Sequence, residues 1–257
     1  MTLTKLQFEP GINTETTAYS NEGGWNDCDK VRFRFGYPEK IGGWEKYVNS
    51  TLEGTPRSLH AWRTLNNSEL MGIGTNKKFY VEEGGAYYDV TPLRTTTTNA
   101  TTFAASNGSS TVTVTDNGHG AIVGDFVTFT GAATLGGTVT ATVLNKEYEI
   151  QTVPTSNTYT ITVAVTANSS DSGNGGGSVT SAYQINIGID SVVQGNGWGA
   201  GTWGRGTWGS AATTVAGGGS IRIWKQDNFG EDLVFNIRDG SVYYWDFSSG
   251  LSARAVT

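Results

Sequence analysis

Residue types with distinctive chemistry are scarce in this chain of 257 residues. Its single cysteine, Cys28, has no partner for an internal disulfide, and only two histidines, His60 and His119, are available for acid–base chemistry. No charged-then-apolar leader and no apolar run of about 18 residues occurs. These absences predict a chain without a membrane segment that is made in a reducing cytoplasm.

Basic residues are outnumbered by acidic ones. The 17 Lys and Arg residues stand against 23 Asp and Glu residues, which gives a net charge of −6 at pH 7. A protein that binds nucleic acid freely usually carries a basic footprint, because Lys and Arg must neutralise the phosphates. The charge therefore predicts no avid binding to DNA.

Glycine and aromatic residues, by contrast, are abundant. The chain has 36 glycines, 8 tryptophans, 11 tyrosines and 10 phenylalanines, but only 5 prolines. Threonine and aromatic residues favour strands, glycine favours tight turns, and no stretch shows the period of an amphipathic helix. The composition predicts an all-β fold of many short strands.

Two segments share one pattern of strands and turns. In residues 58–81, a strand with Trp62 is followed by a polar turn, an apolar middle strand, a Thr-Asn-Lys-Lys turn and an aromatic strand. In residues 221–246, Trp224 precedes a turn over 226–232, and a middle strand, an Arg-Asp-Gly-Ser turn and a second aromatic strand follow. Such a repeat of short strands and tight turns predicts propeller-like blades.

The residues between these two segments have a different composition. Residues 95–181 carry almost no charge, and both their Thr-rich start and the Gly/Ser-rich stretch 169–178 are typical of linkers. Alternating stretches within them, including 137–144, predict half-buried antiparallel strands of a small β-sandwich or barrel. We therefore predict an N-terminal arm with the first blade at 1–94, an inserted domain at 95–181, and a return to the propeller-like region at 182–257.

The stretch VRFRFGYPEK alternates two arginines with apolar residues. In a strand, Val31, Phe33 and Phe35 lie on one face and both arginines on the other, and residues 36–39 supply a turn. An RNA-recognition module has a similar aromatic strand, but that fold needs amphipathic helices, which this sequence lacks. Packing is therefore the predicted role of these aromatic residues.

The candidate catalytic groups have simpler explanations. Cys28 has an aspartate on each side, and these charges oppose a thiolate. A glycosidase needs two carboxyl groups that face one bond, but the adjacent pairs Glu82-Glu83 and Glu231-Asp232 are typical of solvated turns. The glycine-rich stretches lack the strand-to-helix setting of a phosphate-binding loop. The sequence predicts no catalytic, cofactor-binding or metal-binding residue, and no enzyme.

Three tryptophans recur every five residues among glycines, a spacing that fits neither a strand nor a helix face. Tryptophan is enriched at subunit interfaces, and exposed tryptophans also stack on sugars. We predict packing within the chain or between copies, with sugar binding as the alternative. The interface candidates are Trp198, Trp203, Trp208, Arg32, Arg34 and Trp44.

Three stretches carry a resemblance to a known family. They are FEPGINTETTAYSNEGGWNDCDKVRFRFGYPEKIGGW at 8–44, GWGAGTWGRGTWG at 197–209 and RIWKQDNFGEDLVFNIRDGSVYYWD at 222–246. The chain resembles the tail nozzle proteins of short-tailed bacteriophages. The resemblance implies a β-propeller-bearing ring subunit, a homohexamer, at the distal end of the DNA channel. A propeller closes with about four to eight blades, so the chain is either an N-terminal part of a longer protein or has its sheets completed by neighbours.

The sequence thus predicts a structural protein of the virion tail. As a ring, it would extend and seal the DNA channel, dock adaptor or other tail proteins and tail fibres or spikes, and let genome DNA pass without tight binding. The alternative is a carbohydrate- or receptor-binding tail protein that uses the tryptophans or the inserted domain. Oligomeric state separates the two, because a nozzle needs a closed ring.

Overall fold

Strands form nearly all the regular structure of the residues that can be described. The computed structural model describes residues 8–43, 45–175, 177–190, 221–238 and 240–257. Two compact units are present, Met1–Asn49 and Ser50–Thr257, and each is described by itself. Within the described ranges, helix is confined to α1, Ala141–Leu144, and a 3-10 turn at Phe247–Ser249. The all-β prediction is confirmed.

The strands follow one another closely along the chain. They are β1 Val31–Arg34, β2 Tyr37–Lys40, β3 Pro56–Arg63, β4 Glu69–Thr75, β5 Phe79–Glu83, β6 Ala86–Asp89, β7 Leu93–Thr98, β8 Thr102–Ala105, β9 Thr111–Thr115, β10 Phe126–Thr130, β11 Glu147–Glu149, β12 Thr152–Thr155, β13 Thr158–Thr162, β14 Asp171–Gly173, β15 Thr180–Gln184, β16 Trp224–Phe229, β17 Asp232–Ile237 and β18 Val242–Trp245. Every pairing between these strands is antiparallel.

In the N-terminal unit, β1 and β2 form a hairpin with a two-residue turn. Phe35 and Gly36 occupy the turn with φ angles of 51° and 81°, as a type I′ turn requires. The prediction that Phe35 packs on the strand face was wrong, since its side chain is 88% exposed. The predicted turn at 36–39 was also wrong, because Tyr37 begins β2. Phe33 does pack inward, with its ring centre 6.2 Å from that of Trp25.

The second unit contains two antiparallel meanders that correspond to the predicted repeat. The first has the strand order β3-β4-β5-β6, and the second has the order β16-β17-β18. One predicted turn was too long: β16 continues to Phe229, and the chain reverses at Gly230, whose φ angle is 68°. That these meanders are blades of a closed propeller stays a prediction.

The two meanders pack face to face through aromatic side chains. The rings of Phe79 and Phe235 stack with centres 3.9 Å apart, and Phe79 also meets the edge of Trp224 at 5.0 Å. At the other end of the contact, Trp62 and Trp245 meet at 6.4 Å. Burial of such large apolar surfaces supplies most of the free energy that holds the two sheets together.

Glycine at position 74 allows this close approach. A Cβ atom there would lie 2.4 Å from Cδ1 of Trp224, whose indole is fixed by a 2.6 Å hydrogen bond to the Thr75 carbonyl. We expect Gly74→Ala to lower the free energy of unfolding by about 1–3 kcal/mol, measured by urea denaturation. Gly72→Ala is the matched control: its Cβ would meet the end of the Gln226 side chain, which can change rotamer more easily than the indole ring of Trp224, so the loss should be smaller. Equal losses would contradict this packing.

The residues between the meanders form two further sheets that share one core. One sheet has the order β11-β10-β15-β7 and the other the order β12-β13-β9-β8-β14. Their alternating strands direct apolar side chains inward, as expected for half-buried strands. The fully buried members of this core include Phe103, Val112, Val114, Val127, Phe129, Tyr159, Ile161 and Tyr183.

Two local predictions in this region were wrong. The flanks predicted as linkers contain strands: β7 lies in the Thr-rich flank and pairs with β15, and β14 lies in the Gly/Ser-rich flank and pairs with β8. The predicted strand over 137–144 ends in helix α1, because the Thr140 side chain caps the helix by accepting a hydrogen bond from the Val143 amide at 3.4 Å. Alternation of small and β-branched residues did not distinguish these conformations.

The described residues contain two separate buried clusters. One draws its members from residues 103–183, and the other from 62–90 together with 185–255. The domain boundaries at 94/95 and 181/182 stay predictions, to which the Discussion returns.

Candidate functional site

Four of the six interface candidates, Trp44, Trp198, Trp203 and Trp208, lie outside the described residues. Arg32 and Arg34 both lie on the exposed face of β1. Nε of Arg32 donates to Oε2 of Glu39 on β2 at 3.0 Å. The guanidinium carbon of Arg34 lies 5.4 Å from the centre of the Phe35 ring. The two arginines therefore form part of one hairpin surface.

The three residues considered for nucleophilic chemistry, Cys28, His60 and His119, lie in different environments. Cys28 is partly buried. The His60 ring stacks on Trp62 with centres 5.8 Å apart, and its Nε2 lies 3.3 Å from Oδ1 of Asn228. His119 is 1% exposed, and its Nδ1 accepts a hydrogen bond from the Ala121 amide at 3.0 Å. Among the described residues, His, Cys, Asp and Glu form no group of three that could hold a metal ion.

The two acidic pairs have different environments. Glu82 was predicted to be solvated, but it is buried at 5% exposure, because its carboxylate folds back and accepts a 2.7 Å hydrogen bond from the Gly85 amide. Glu231 and Asp232 do lie at a turn, between β16 and β17. Each of their carboxylates accepts a hydrogen bond from the backbone of a neighbouring loop, and these contacts build a pocket.

This pocket, which we call the end pocket, lies where one loop, one turn and the segment after the last strand of the two meanders meet. The β3–β4 loop, the β16–β17 turn and the segment after β18 surround a cavity of about 510 Å³. Its lining residues are Arg63, Leu65, Phe229, Gly230, Glu231, Asp232, Asp246, Phe247 and Ser248.

Hydrogen bonds fix the walls of the end pocket. The Leu65 amide donates to Oε1 of Glu231 at 2.8 Å, and the Trp62 indole donates to the Glu231 carbonyl at 2.9 Å. The Phe247 amide donates to Oδ1 of Asp232 at 2.9 Å. The first two bonds join the end of β3 and the β3–β4 loop to the β16–β17 turn, so contacts between the two stacked sheets hold the walls of the pocket.

The end pocket is both acidic and apolar. Hydrogen bonds from Ser248 and Ser249 hold the pKa of Asp246 below its usual value, so this carboxylate is charged at neutral pH. The hydrogen bond that the Tyr244 hydroxyl donates to Asp232 raises the pKa of Tyr244 to about 12. Beside these carboxylates, the side chains of Leu65 and Phe229 are 92% and 75% exposed. Large apolar groups so exposed on a fixed frame are typical of interaction sites.

A second polar group, which we call the junction cluster, lies between the first meander and the intervening sheets. It consists of Lys78, Asp89, Glu147, Gln184 and Arg254. Nζ of Lys78 donates to Oδ2 of Asp89 at 3.0 Å and also pairs with Glu147. Arg254 donates to Asp89 Oδ1 at 2.7 Å and to Glu147 Oε2 at 3.3 Å. The amide group of Gln184 donates to Glu147 at 2.6 Å.

Burial makes the junction cluster energetically important. Only 3% of Lys78 is exposed, and its Nζ lies 4.1 Å from the centre of the Phe126 ring. Burial acts to raise the pKa of Asp89, but the charges of Lys78 and Arg254 and the hydrogen bonds from Thr91 outweigh it, so the pKa lies below the usual value. Asp89 is therefore ionised in the folded protein at neutral pH.

Sequence reasoning missed the junction cluster. It assigned Lys77 and Lys78 only to a turn, yet Lys77 pairs with Glu149 at 2.7 Å and Lys78 pairs with Glu147. One signal was present, because charged residues are rare in 95–181 and Glu147 and Glu149 lie two positions apart on β11, on the same face. Two like charges on one face of a strand indicate a basic partner elsewhere in the chain.

Comparison with known proteins adds little to this geometry. No protein-family model matches the sequence, and no curated protein matches it. Among solved structures, the chain is similar to a phage phi92 endosialidase, with 19% sequence identity and a TM-score of 0.30. The match covers 58% of this chain and 21% of that one, about a fifth of its length. A similarity of this size carries no conclusion about function. In the part of the chain that is described, no helix is long and apolar enough to cross a membrane.

Proposed function

We propose that the chain is a structural subunit of a bacteriophage tail, of the nozzle type, and that it assembles into a ring located in the virion tail. The resemblance of residues 8–44, 197–209 and 222–246 to nozzle proteins is the starting point. In this role the protein has no catalytic duty. It forms the wall of the DNA channel, contributes to its seal, and offers docking surfaces to adaptor or other tail proteins and to fibres or spikes.

The observation that carries the proposal is the number of large apolar side chains exposed on β-strands and tight turns. A subunit that works alone rarely leaves so many uncovered, whereas subunit interfaces bury aromatic and aliphatic groups at their centre. They belong to both compact units, so each unit offers surface for contact. These side chains are Tyr19, Phe35, Tyr37, Tyr47, Leu59, Leu65, Phe229 and Val242.

The charge of the chain suits a DNA channel. Each phosphate that Lys or Arg neutralises adds a salt-dependent attraction, so a wall that must let DNA slide should not be basic. With a net charge of −6 per copy, the ring is expected to present a neutral or negative inner wall. Arg32 and Arg34 then face protein groups, and genome DNA passes without tight binding.

We expect the purified full-length protein to form one discrete assembly of six copies of the 27.3 kDa chain. Apolar contacts resist salt, so the assembly should persist when ionic strength is raised. Light scattering coupled to size-exclusion chromatography gives the mass at each salt concentration. The rival function, carbohydrate or receptor binding, predicts instead a protein that needs no ring and that binds to host glycans immobilised on an array. A single-copy mass at every concentration would contradict the ring.

A further inference from the structure

The β1–β2 hairpin and the end pocket are chemically complementary surfaces. We propose that the arginine hairpin, Val31–Lys40, of one copy docks into the end pocket of the next copy. This inference rests on the proposed function, because it names the contact that would close the ring. The partner is thus a second copy of this chain, bound head to tail.

The arginine hairpin presents apolar and cationic groups together. Phe35 at its turn is 88% exposed, and Tyr37 beside it is 74% exposed. Arg32, Arg34 and Lys40 supply three positive charges against the single carboxylate of Glu39. A type I′ turn is a tight and well-defined structure, so these side chains are displayed on a preorganised tip.

The end pocket offers the opposite charge and a matching apolar surface. Its carboxylates belong to Glu231, Asp232 and Asp246, and its exposed apolar groups are Leu65 and Phe229. The cation in its lining, Arg63, is paired with Glu69 on β4. The cavity of about 510 Å³ lies in the range of roughly 300–1,000 Å³ that encloses drug-sized ligands, which are larger than one aromatic ring. One ring of the hairpin tip therefore fits inside it.

The pocket carboxylates retain capacity for an arginine. An ionised carboxylate has about four acceptor positions. Asp232 accepts from the Tyr244 hydroxyl and the Phe247 amide. Asp246 accepts from the Ser248 amide at 2.8 Å and from the Ser249 hydroxyl at 2.9 Å. The remaining positions suit a guanidinium, which makes paired, charge-assisted hydrogen bonds to carboxylates.

The two surfaces differ from each other, and this decides the kind of assembly. Contact between identical patches gives a two-fold dimer, whereas contact between two different patches repeats from copy to copy and closes into a ring when the rotation allows. A hairpin that enters the pocket of the next copy is such a head-to-tail contact.

Disulfide trapping tests the docking directly. In a Cys28→Ser background, one protein carries Tyr37→Cys and a second carries Leu65→Cys, and the two are mixed and oxidised. Because a disulfide needs Cα atoms within about 7 Å, we expect the mixed 37–65 pair to exceed both like pairs, as measured by mass spectrometry of linked peptides. Tyr19→Cys, at a site that is 96% exposed in the same unit, replaces Tyr37→Cys as the control and should give little product.

Other trapping results would overturn the docking. If a protein with both Tyr37→Cys and Leu65→Cys closes its disulfide only within one chain, the hairpin occupies its own pocket. A mixed pair no more abundant than the Tyr19→Cys control would show that the two surfaces do not meet.

Variants that place a negative charge on either surface distinguish failure of this docking contact from failure of ring assembly. Arg34→Glu and Leu65→Glu should each weaken assembly by at least about tenfold in dissociation constant, while Tyr19→Glu should not, and thermal unfolding confirms that each variant is folded. If rings of unchanged stability form with both variants, the docking is refuted and the ring stands. If the unaltered protein never assembles, both proposals are refuted.

Discussion

Asp89→Ala is expected to lower the free energy of unfolding by about 3–5 kcal/mol, because it removes one of the two carboxylates that pair with the buried Lys78 and with Arg254. Asp89 accepts from Lys78 through one oxygen and from Arg254 through the other. Lys78 is 3% exposed, so water cannot readily replace the lost carboxylate. Urea denaturation followed by tryptophan fluorescence gives the loss.

A matched variant controls for the change of side chain. Asp227→Ala removes an aspartate whose side chain is 88% exposed, and it should change stability by no more than about 0.5 kcal/mol. A loss below about 1 kcal/mol for Asp89→Ala would mean that the junction cluster contributes little.

The pH dependence of stability gives an independent check on Asp89. Its pKa is lower in the folded protein than the ordinary value of 3.8, so folding favours the ionised form. The contribution of Asp89 is therefore present above pH 3.8 and is lost as the pH falls through the lower, folded value. The stability difference between the unaltered protein and Asp89→Asn should shrink in that window. A difference that stays constant to lower pH would contradict the role given to its charge.

Phe129→Ala is expected to destabilise the intervening sheets by about 3–5 kcal/mol and to leave the two meanders protected. Phe129 is 0% exposed and meets Phe103 edge to face at 5.1 Å within its own buried cluster. Phe79→Ala is the matched variant, since Phe79 is also 0% exposed but belongs to the cluster between the meanders. Hydrogen exchange then compares amides in β9 and β13 with amides in β4 and β17.

This pair of variants tests the predicted domain boundaries. Each substitution should lower protection mainly in its own set of strands if 95–181 is a domain with its own core. Equal loss of protection in both sets, for both variants, would show one cooperative unit and would contradict the boundaries. The junction cluster connects the two sets of strands. Any loss of protection that one substitution causes in the other set is therefore expected to depend on Asp89.

Much of the fold follows from local patterns in the sequence. The β-branched and aromatic residues of 58–81 and 221–246, separated by turn residues, predicted β3 to β5 of the first meander and β16 to β18 of the second, but not β6, which lies beyond 58–81. Local patterns predicted less well where the same pattern is compatible with both a strand and a turn. Phe35 was assigned to a strand face because it continues the alternation of Val31 and Phe33 with the two arginines, yet it occupies the type I′ turn with a positive φ angle.

The contacts that build the two polar sites depend on positions far apart in the chain. The end pocket joins Leu65 to Glu231, and the junction cluster joins both Lys78 and Arg254 to Glu147. No local period reports such pairs, since their geometry is set by the packing of whole sheets. Glu82 shows the same difficulty at short range: its burial depends on a fold-back to Gly85 that its position in an acidic pair did not reveal.

Electron microscopy of the purified full-length chain tests the central claim most directly. The account predicts closed rings of one copy number with an open channel along the axis. Particles of a single copy at every concentration, or open filaments without closure, would contradict it.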